Sequence, residues 1–553
     1  MILKIALAQI NVHIGNFDAN TKKIIDFIAQ SKAAGADLVV FPELSVCGYP
    51  PRDFLEFDDF IHLCQTAVNE IAQHCHGIAA LVGAPCPNPD PKGKPLYNSA
   101  YLLQNQKIHS IVHKTLLPTY DIFDEYRYFE PASQHQTVRL NGVEIAVTIC
   151  EDIWNFGENA LYDTSPMEQL IAQKPELIIN LSASPFSYTQ AESRSQVLLQ
   201  NTQAYGIPIV YVNHCGAQTE LIFDGNSQAL DASGNQLLCL KNFKEDLGFV
   251  TLSELKTGKP RQKPTIEPVE PAINYELVHQ ALLLGIKDYF EKLGFKKAIL
   301  GLSGGVDSAL VSVLAAQALG SQNVHVLLMP SEFSSEGSIS DSLQLIKNLG
   351  ISHDIVPIKT AFETVTNQVL EPFFKDLPFG IAEENIQSRL RGLILMAYTN
   401  KFGYILLNTS NKSELAVGYG TLYGDMAGGI SVIGDLYKTQ VYALCQSINK
   451  YEEIIPQNIL TKAPSAELRP DQKDSDSLPE YDVLDPILMQ YIAHRRSPQE
   501  LVAQGYDAAL VARVLRLVNI NEYKRNQFCP ILRVSSKAFG AGRRMPIVGK
   551  YLG

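Results

Sequence analysis

The sequence predicts an α/β protein of two domains. Its 553 residues exceed one ordinary domain, and 46% of them are hydrophobic, enough for two sizeable cores. In both halves short apolar runs alternate with segments of helical spacing. Between Glu254 and Pro271 the string ELKTGKPRQKPTIEPVEP is rich in proline and charge and has no apolar period, which reads as a linker. The expected organisation is therefore a domain at 1–253, a linker at 254–273 and a second domain at 274–553. Hydrophobic segments are short and interrupted, so no membrane span is expected. Lys4 lies inside a strand-like pattern, without the apolar stretch and small-residue cleavage site of a secretory signal, and the expected location is cytoplasmic. The nine cysteines are scattered, odd in number and free of CxxC spacing, as expected of reduced thiols. A net charge of −12 argues against a nucleic-acid partner.

The first domain opens LKIALAQINVHIGNFDANTKKIIDFIAQSKAAGADLVVFPELSVCGYPP, read as a strand, a long amphipathic helix and a second strand ending at Glu43. Two further strand-ending segments hold HKTLLPTYDIFDE and TICEDIWN. Glu43, Lys114 and Cys150 thus each follow an apolar run, and such positions are expected to converge at one edge of a sheet. The three strings resemble the nitrilase superfamily of carbon-nitrogen hydrolases, whose Glu, Lys and Cys triad sits in them. That resemblance implies an αββα sandwich and amide hydrolysis. Amide hydrolysis asks for a base to take the Cys150 proton, a role for Glu43, and for a cation at the oxyanion, a role for Lys114 with the backbone N–H of Glu151. Similarity to the glutaminase domains of NAD synthetases further implies that Tyr120 and Ser184 contact glutamine. The position six beyond Ser184, often basic in relatives, is Gln190 here; an amide still donates a hydrogen bond to a carboxylate but carries no charge. Arg194, one helical turn further on, is a candidate to compensate.

In the second domain KKAILGL at 296–302 reads as a buried strand and DSALVSVLAAQA at 307–318 as a helix, with SGGVDS on the turn between them. A strand, glycine turn and helix start direct backbone N–H groups and the helix dipole at one spot, which suits a phosphate. Gly301, Leu302, Ser303, Gly304, Gly305, Val306, Asp307 and Ser308 form this candidate ATP loop. It is not a Walker A loop, because no Gly-Lys-Ser/Thr follows. A carboxylate beside phosphates repels them unless a cation intervenes, so Asp307 is assigned to Mg2+.

The loop resembles SGGxDS of the N-type ATP pyrophosphatases. ENIQSRLRG, LLNTSNKSELAVGYGTLYGD, GDLYKTQVYAL, KAPSAELRPDQKDSDSLPEYDVLD and YKRNQFCP resemble NAD synthetases within that group. The resemblance implies that Thr409, Lys438 and Ser465 contact ATP, that Asn385, Arg391 and Lys524 bind the acid dinucleotide, and that Glu414 serves both metal and dinucleotide. It also implies that residues 464–486 cover the substrate and that the synthetase domain forms a symmetric dimer.

Together the two resemblances imply a glutamine-dependent ligase. Glutamine is hydrolysed at Cys150, nicotinic acid adenine dinucleotide is adenylylated by ATP, and ammonia displaces AMP to give NAD. Two alternatives stay open on the residues alone. The first domain is a silent binding module and the second uses free ammonia, or the acceptor is another carboxylate or carbonyl, as in GMP or asparagine synthesis.

Overall fold

The computed structural model describes residues 3–155, 161–257, 273–374, 377–470 and 472–551. The chain divides into two compact units, Met1–Ile273 and Asn274–Gly553. Most of the expected linker lies outside the described residues. Its first residues do not: Leu252–Lys256 form a short helix, started by a capping box in which Thr251 accepts from the Glu254 N–H while the Glu254 carboxylate accepts from the Thr251 N–H.

The first unit is a sandwich of two six-stranded sheets. One runs, in spatial order, Asp246–Thr251, Lys4–Gln9, Leu38–Val40, Ala79–Pro87, Leu96–Gln104 and Lys107–His113. The other runs Gln236–Cys239, Gln228–Leu230, Ile209–Asn213, Leu177–Ser182, Val143–Ile149 and Val138–Leu140. Alternation along each strand builds the layers. Ile5 and Leu7 face Ile145, Val147 and Ile149 in the core between the sheets. Ala6 and Ala8 point the other way, against Ile24 and Ile28 of the helix Phe17–Ala33 and Val68 and Ile71 of the helix Asp58–Gln73. On the far side, Ala146 and Ile178 meet Met167, Leu170 and Leu198 from the helices Pro166–Ile171 and Gln190–Tyr205. The order is helix, sheet, sheet, helix, the αββα sandwich expected for this domain.

The second unit is built on a parallel sheet in the order Ser352–Ile355, Val324–Leu328, Ala298–Gly301, Ile405–Asn408 and Ile430–Ser431. Asn274 caps the first helix, Tyr275–Leu293, by accepting from the Glu276 and Leu277 N–H groups. The central strand Ala298–Gly301 feeds the turn that enters the helix Val306–Leu319, a segment apolar all round and buried accordingly. Residues 481–486, which the sequence places in a covering loop, are instead helical, because Tyr481–Ile492 buries Leu484, Ile487 and Leu488 despite Pro486 in its interior. Among the described residues no helix is long and apolar enough to cross a membrane.

Candidate functional site

Glu43, Lys114 and Cys150 stand where three strands have just ended, at Val40, His113 and Ile149. They do not share one sheet, as the sequence led us to expect. Glu43 and Lys114 follow strands of the first sheet and Cys150 follows a strand of the second, so the group is assembled across the sandwich. All three are buried: Glu43 is 1% exposed, Lys114 0% and Cys150 6%. Lys114 Nζ lies 2.7 Å from Glu43 Oε1 and 2.7 Å from Glu125 Oε2. Asn98 Nδ2 donates to Glu43 Oε1 at 2.7 Å, and the Ala183 N–H donates to Glu43 Oε2 at 3.0 Å, so both carboxylate oxygens are held. Tyr49 donates to Glu125 Oε1 at 2.9 Å.

The electrostatics follow from burial. Burial disfavours the Lys114 charge, but the Glu125 and Glu43 carboxylates overcome it and hold the ammonium well above its usual range. Burial, and then the Glu43 charge, push the Cys150 thiol well above its usual value, although Lys114 opposes them. The resting group is therefore a protonated thiol facing a carboxylate, so a base must take its proton. Cys150 has φ +44°, a left-handed conformation that costs a cysteine roughly 1–3 kcal/mol and marks positions held by their surroundings.

Two of the residues expected to contact the amide substrate adjoin this group, Tyr120 through Glu151 and Ser184 through Ala183. Tyr120 is 42% exposed and its hydroxyl donates to Glu151 Oε1 at 2.9 Å. Tyr162 donates to the same oxygen at 3.3 Å. Burial raises the Glu151 carboxyl to about 7. Ser184 is buried beside Ala183, its N–H on Asn213 Oδ1 at 2.9 Å. Gln190 opens the helix Gln190–Tyr205 and is half-buried. Arg194 is not a substitute cation: it is buried and doubly hydrogen-bonded to Asp224, with its guanidinium over the Tyr211 ring.

In the second unit Gly301 to Ser308 line a cavity of about 300 Å³, together with Arg391, Thr409, Glu414, Lys438 and Ser465. Gly304 has φ +80°, and a Cβ there would stand 2.5 Å from the Ser338 carbonyl oxygen, so glycine is required twice over. Gly305 caps the helix without a side-chain bond, which leaves first-turn N–H groups for an anion. Lys438 Nζ lies 2.5 Å from Asp307 Oδ2 and 3.5 Å from Glu414 Oε1. Burial, then the Asp307 charge, push Glu414 up to about 8. Asn385 and Lys524 lie outside this lining, but both hold the adjoining loop. Asn385 Oδ1 accepts from Thr421 at 2.7 Å, and Lys524 Nζ donates to the Gly418 and Gly420 carbonyls at 2.8 Å each. The first part of the 464–486 stretch does border the cavity, through Pro464 to Leu468 and Asp474. Glu467 anchors it by accepting from Ser338 Oγ at 2.8 Å and Lys462 Nζ at 2.6 Å.

Residues 4–258 match the family described as Carbon-nitrogen hydrolase, and residues 278–528 match the family described as NAD synthase. The chain is 46% identical to the glutamine-dependent NAD(+) synthetase of Synechocystis sp., covering 98% of each. It is 39% identical to that of Thermotoga maritima, covering 99% of each. The chain belongs to the glutamine-dependent NAD(+) synthetase family. A solved structure of glutamine-dependent NAD+ synthetase from Acinetobacter baumannii in complex with adenosine diphosphate matches with a TM-score of 0.76 at 36% identity over 99% of each chain. That from Cytophaga hutchinsonii, at 21% identity and a TM-score of 0.83, shares the fold.

Several members of the two sites escaped the sequence reading. Glu125 closes HKTLLPTYDIFDE, eleven positions beyond Lys114, and shares its ammonium with Glu43. Its only sequence signal is an acid within a lysine's reach in a string already under suspicion. Asn411, between Thr409 and Glu414, donates to Asp307 Oδ1 at 3.0 Å and accepts from the Glu414 N–H at 3.0 Å, and so joins the two carboxylate-bearing elements.

Proposed function

We propose that the chain hydrolyses glutamine at Cys150 and spends the ammonia on nicotinic acid adenine dinucleotide, activated by ATP as an adenylate, to give NAD, AMP and pyrophosphate. The observation that carries this reading is the buried Glu43, Lys114 and Cys150 group in one unit and the free-ended SGGVDS turn facing a cavity in the other. Glu43 accepts the thiol proton as sulfur attacks the glutamine amide carbon. Lys114 and the Glu151 N–H stabilise the oxyanion, and Glu43 returns the proton to the departing ammonia. Water, activated by the same carboxylate, then cleaves the glutamyl thioester.

In the second unit the nicotinate carboxylate attacks the α-phosphorus of ATP, and several negative charges meet. The loop N–H groups and Lys438 hold them in place. Asp307 and Glu414, both partly buried, share Lys438 with Asp474 nearby, an excess of acid over base that suits a hard divalent cation. Asp307 and Glu414 would hold Mg2+ there, and the ion would supply neutralising charge. Exposed apolar residues Phe373 at 79%, Ile381 at 76%, Leu377 at 68% and Leu393 at 66% support assembly through the synthetase unit. The nine cysteines, all free thiols, support a cytoplasmic location.

The test is NAD formation from the acid dinucleotide, ATP and magnesium, with glutamine or ammonium as donor. Both donors should serve; NAD from neither would overturn the acceptor assignment.

Substrate recognition gives two predictions. The Glu151 carboxylate, with two tyrosine hydroxyls on it, is the group to meet the α-ammonium of glutamine, and only its ionised form attracts that charge. Since its proton leaves at about 7, the KM for glutamine should fall as pH rises through 7 and level off above it. At one unit below, about a tenth of the carboxylate is ionised and KM is about tenfold above its plateau. Glu151→Gln should raise KM and flatten that limb; a limb that survives in the variant belongs to another group. Gln190→Lys should lower the KM for glutamine about fivefold, since a charged donor to the α-carboxylate is worth roughly 1 kcal/mol more than an amide. Ammonium-supported synthesis should not change. A raised KM would show that position 190 does not face the carboxylate.

A further inference from the structure

Lys114 and Cys150 come from different sheets, so something must fix the distance between two strand ends that share no hydrogen-bond ladder. Asp152 does this. It is 4% exposed. Its Oδ1 accepts from the Thr115 N–H at 3.0 Å and the Leu116 N–H at 2.9 Å. Its Oδ2 accepts from the Ile149 N–H at 3.0 Å. Thr115 follows Lys114, and Ile149 precedes Cys150. One carboxylate therefore grips the backbone directly after the cation and directly before the nucleophile, and so spans the sandwich at its reacting end.

We propose that Asp152 is a positioning residue for glutamine hydrolysis. It sets the separation of Lys114 and Cys150 and holds the turn in which Cys150 takes its left-handed conformation; the proposal rests on the glutaminase reading above. None of its hydrogen bonds goes to the thiol or the ammonium, so it acts through them. The geometry also says why an acid stands here. Three N–H donors converge on two oxygens, and a neutral amide offers only one acceptor atom. In Asp152→Asn one side of the clamp must face an N–H with an N–H, so either the Lys114 side or the Cys150 side is released. Asn180 Nδ2, 3.4 Å from the Cys150 carbonyl, steadies the turn from the neighbouring strand but reaches no part of the lysine segment.

The experiment measures four quantities on the full chain: kcat and KM for glutamine hydrolysis, NAD synthesis from ammonium, and the pH profile of Cys150 alkylation by iodoacetamide, read on its peptide by mass spectrometry. Asp152→Asn should lower kcat about 100-fold, the loss expected when reacting groups shift by about 1 Å. KM should change less than about threefold and ammonium-supported synthesis should be untouched. The alkylation midpoint should move up by about one unit as the cation withdraws from the thiol. Asp152→Ser covers the case in which the asparagine variant does not fold. A serine hydroxyl still closes the local turn onto the Ile149 N–H and loses the Thr115 and Leu116 N–H groups. It should show the same kcat loss with the thermal melt of the first unit retained. A folded variant with kcat within threefold of wild type, or a kcat loss with an unmoved alkylation profile, would overturn the proposal. Cys150→Ala run in parallel separates the two readings: if it keeps glutamine-supported synthesis, the glutaminase assignment has failed rather than the role of Asp152.

Discussion

Cys150→Ala should abolish glutamine-supported NAD formation, by at least about three orders of magnitude, and leave ammonium-supported formation at the wild-type rate. The thiol is the only atom removed, and no neighbouring group can replace it. Glu43 is committed through both carboxylate oxygens to Lys114, Asn98 and the Ala183 N–H, and Lys114 to two carboxylates. Fold loss cannot explain the result, because trading a buried sulfur for a small void costs on the order of 1 kcal/mol and alanine is no worse than cysteine at φ +44°. The NAD synthase match, residues 278–528, lies in Asn274–Gly553, a separate compact unit from the one that holds Cys150. Cys75→Ala is the control. Burial pushes the Cys75 thiol up to about 12, where it is inert, and both activities should persist. If both donors fail equally in Cys150→Ala, the nucleophile assignment is wrong.

What was legible in the sequence was local. A strand that ends on a functional residue announces itself by period and punctuation, which is why Glu43, Lys114, Cys150 and the SGGVDS turn stand where the pattern placed them, with helix and strand ends within a residue or three. The illegible part was tertiary. Nothing in TICEDIWN says that its strand belongs to a different sheet from Leu38–Val40, because sheet membership depends on pairing between distant segments. Arg194 looked available to a substrate since its partner Asp224 lies 30 residues away in sequence. Residues 481–486 were expected to belong to the covering stretch, yet the burial of Leu484, Ile487 and Leu488 makes them helical and outweighs the backbone bond lost at Pro486. The Asp152 clamp is the same lesson at the site itself: its acceptors are filled by backbone groups, which carry no residue-specific signal.

Asp307→Asn should damage synthesis from both nitrogen donors alike, by about 10²- to 10³-fold, the loss typical of removing one preorganised charge at a transition state. This common loss is the mirror image of the donor-specific loss in Cys150→Ala. The fold should hold, because the amide still fits the first turn of Val306–Leu319 and Lys438 keeps Glu414 as a partner at 3.5 Å. Charge also fixes a second readout. Glu414 is pushed up to about 8 by burial first and by the Asp307 charge second, so at pH 7 most of it carries a proton in the ligand-free chain. A divalent cation favours the ionised form, and binding ATP with magnesium at pH 7 should therefore release a proton. In the Asp307→Asn variant the second cause is gone, Glu414 is already closer to ionised, and fewer protons should leave. Titration calorimetry in buffers of different ionisation enthalpy measures that number directly. Full activity in the variant would remove the metal assignment, and an unchanged proton count would show that Asp307 and Glu414 do not serve one cation.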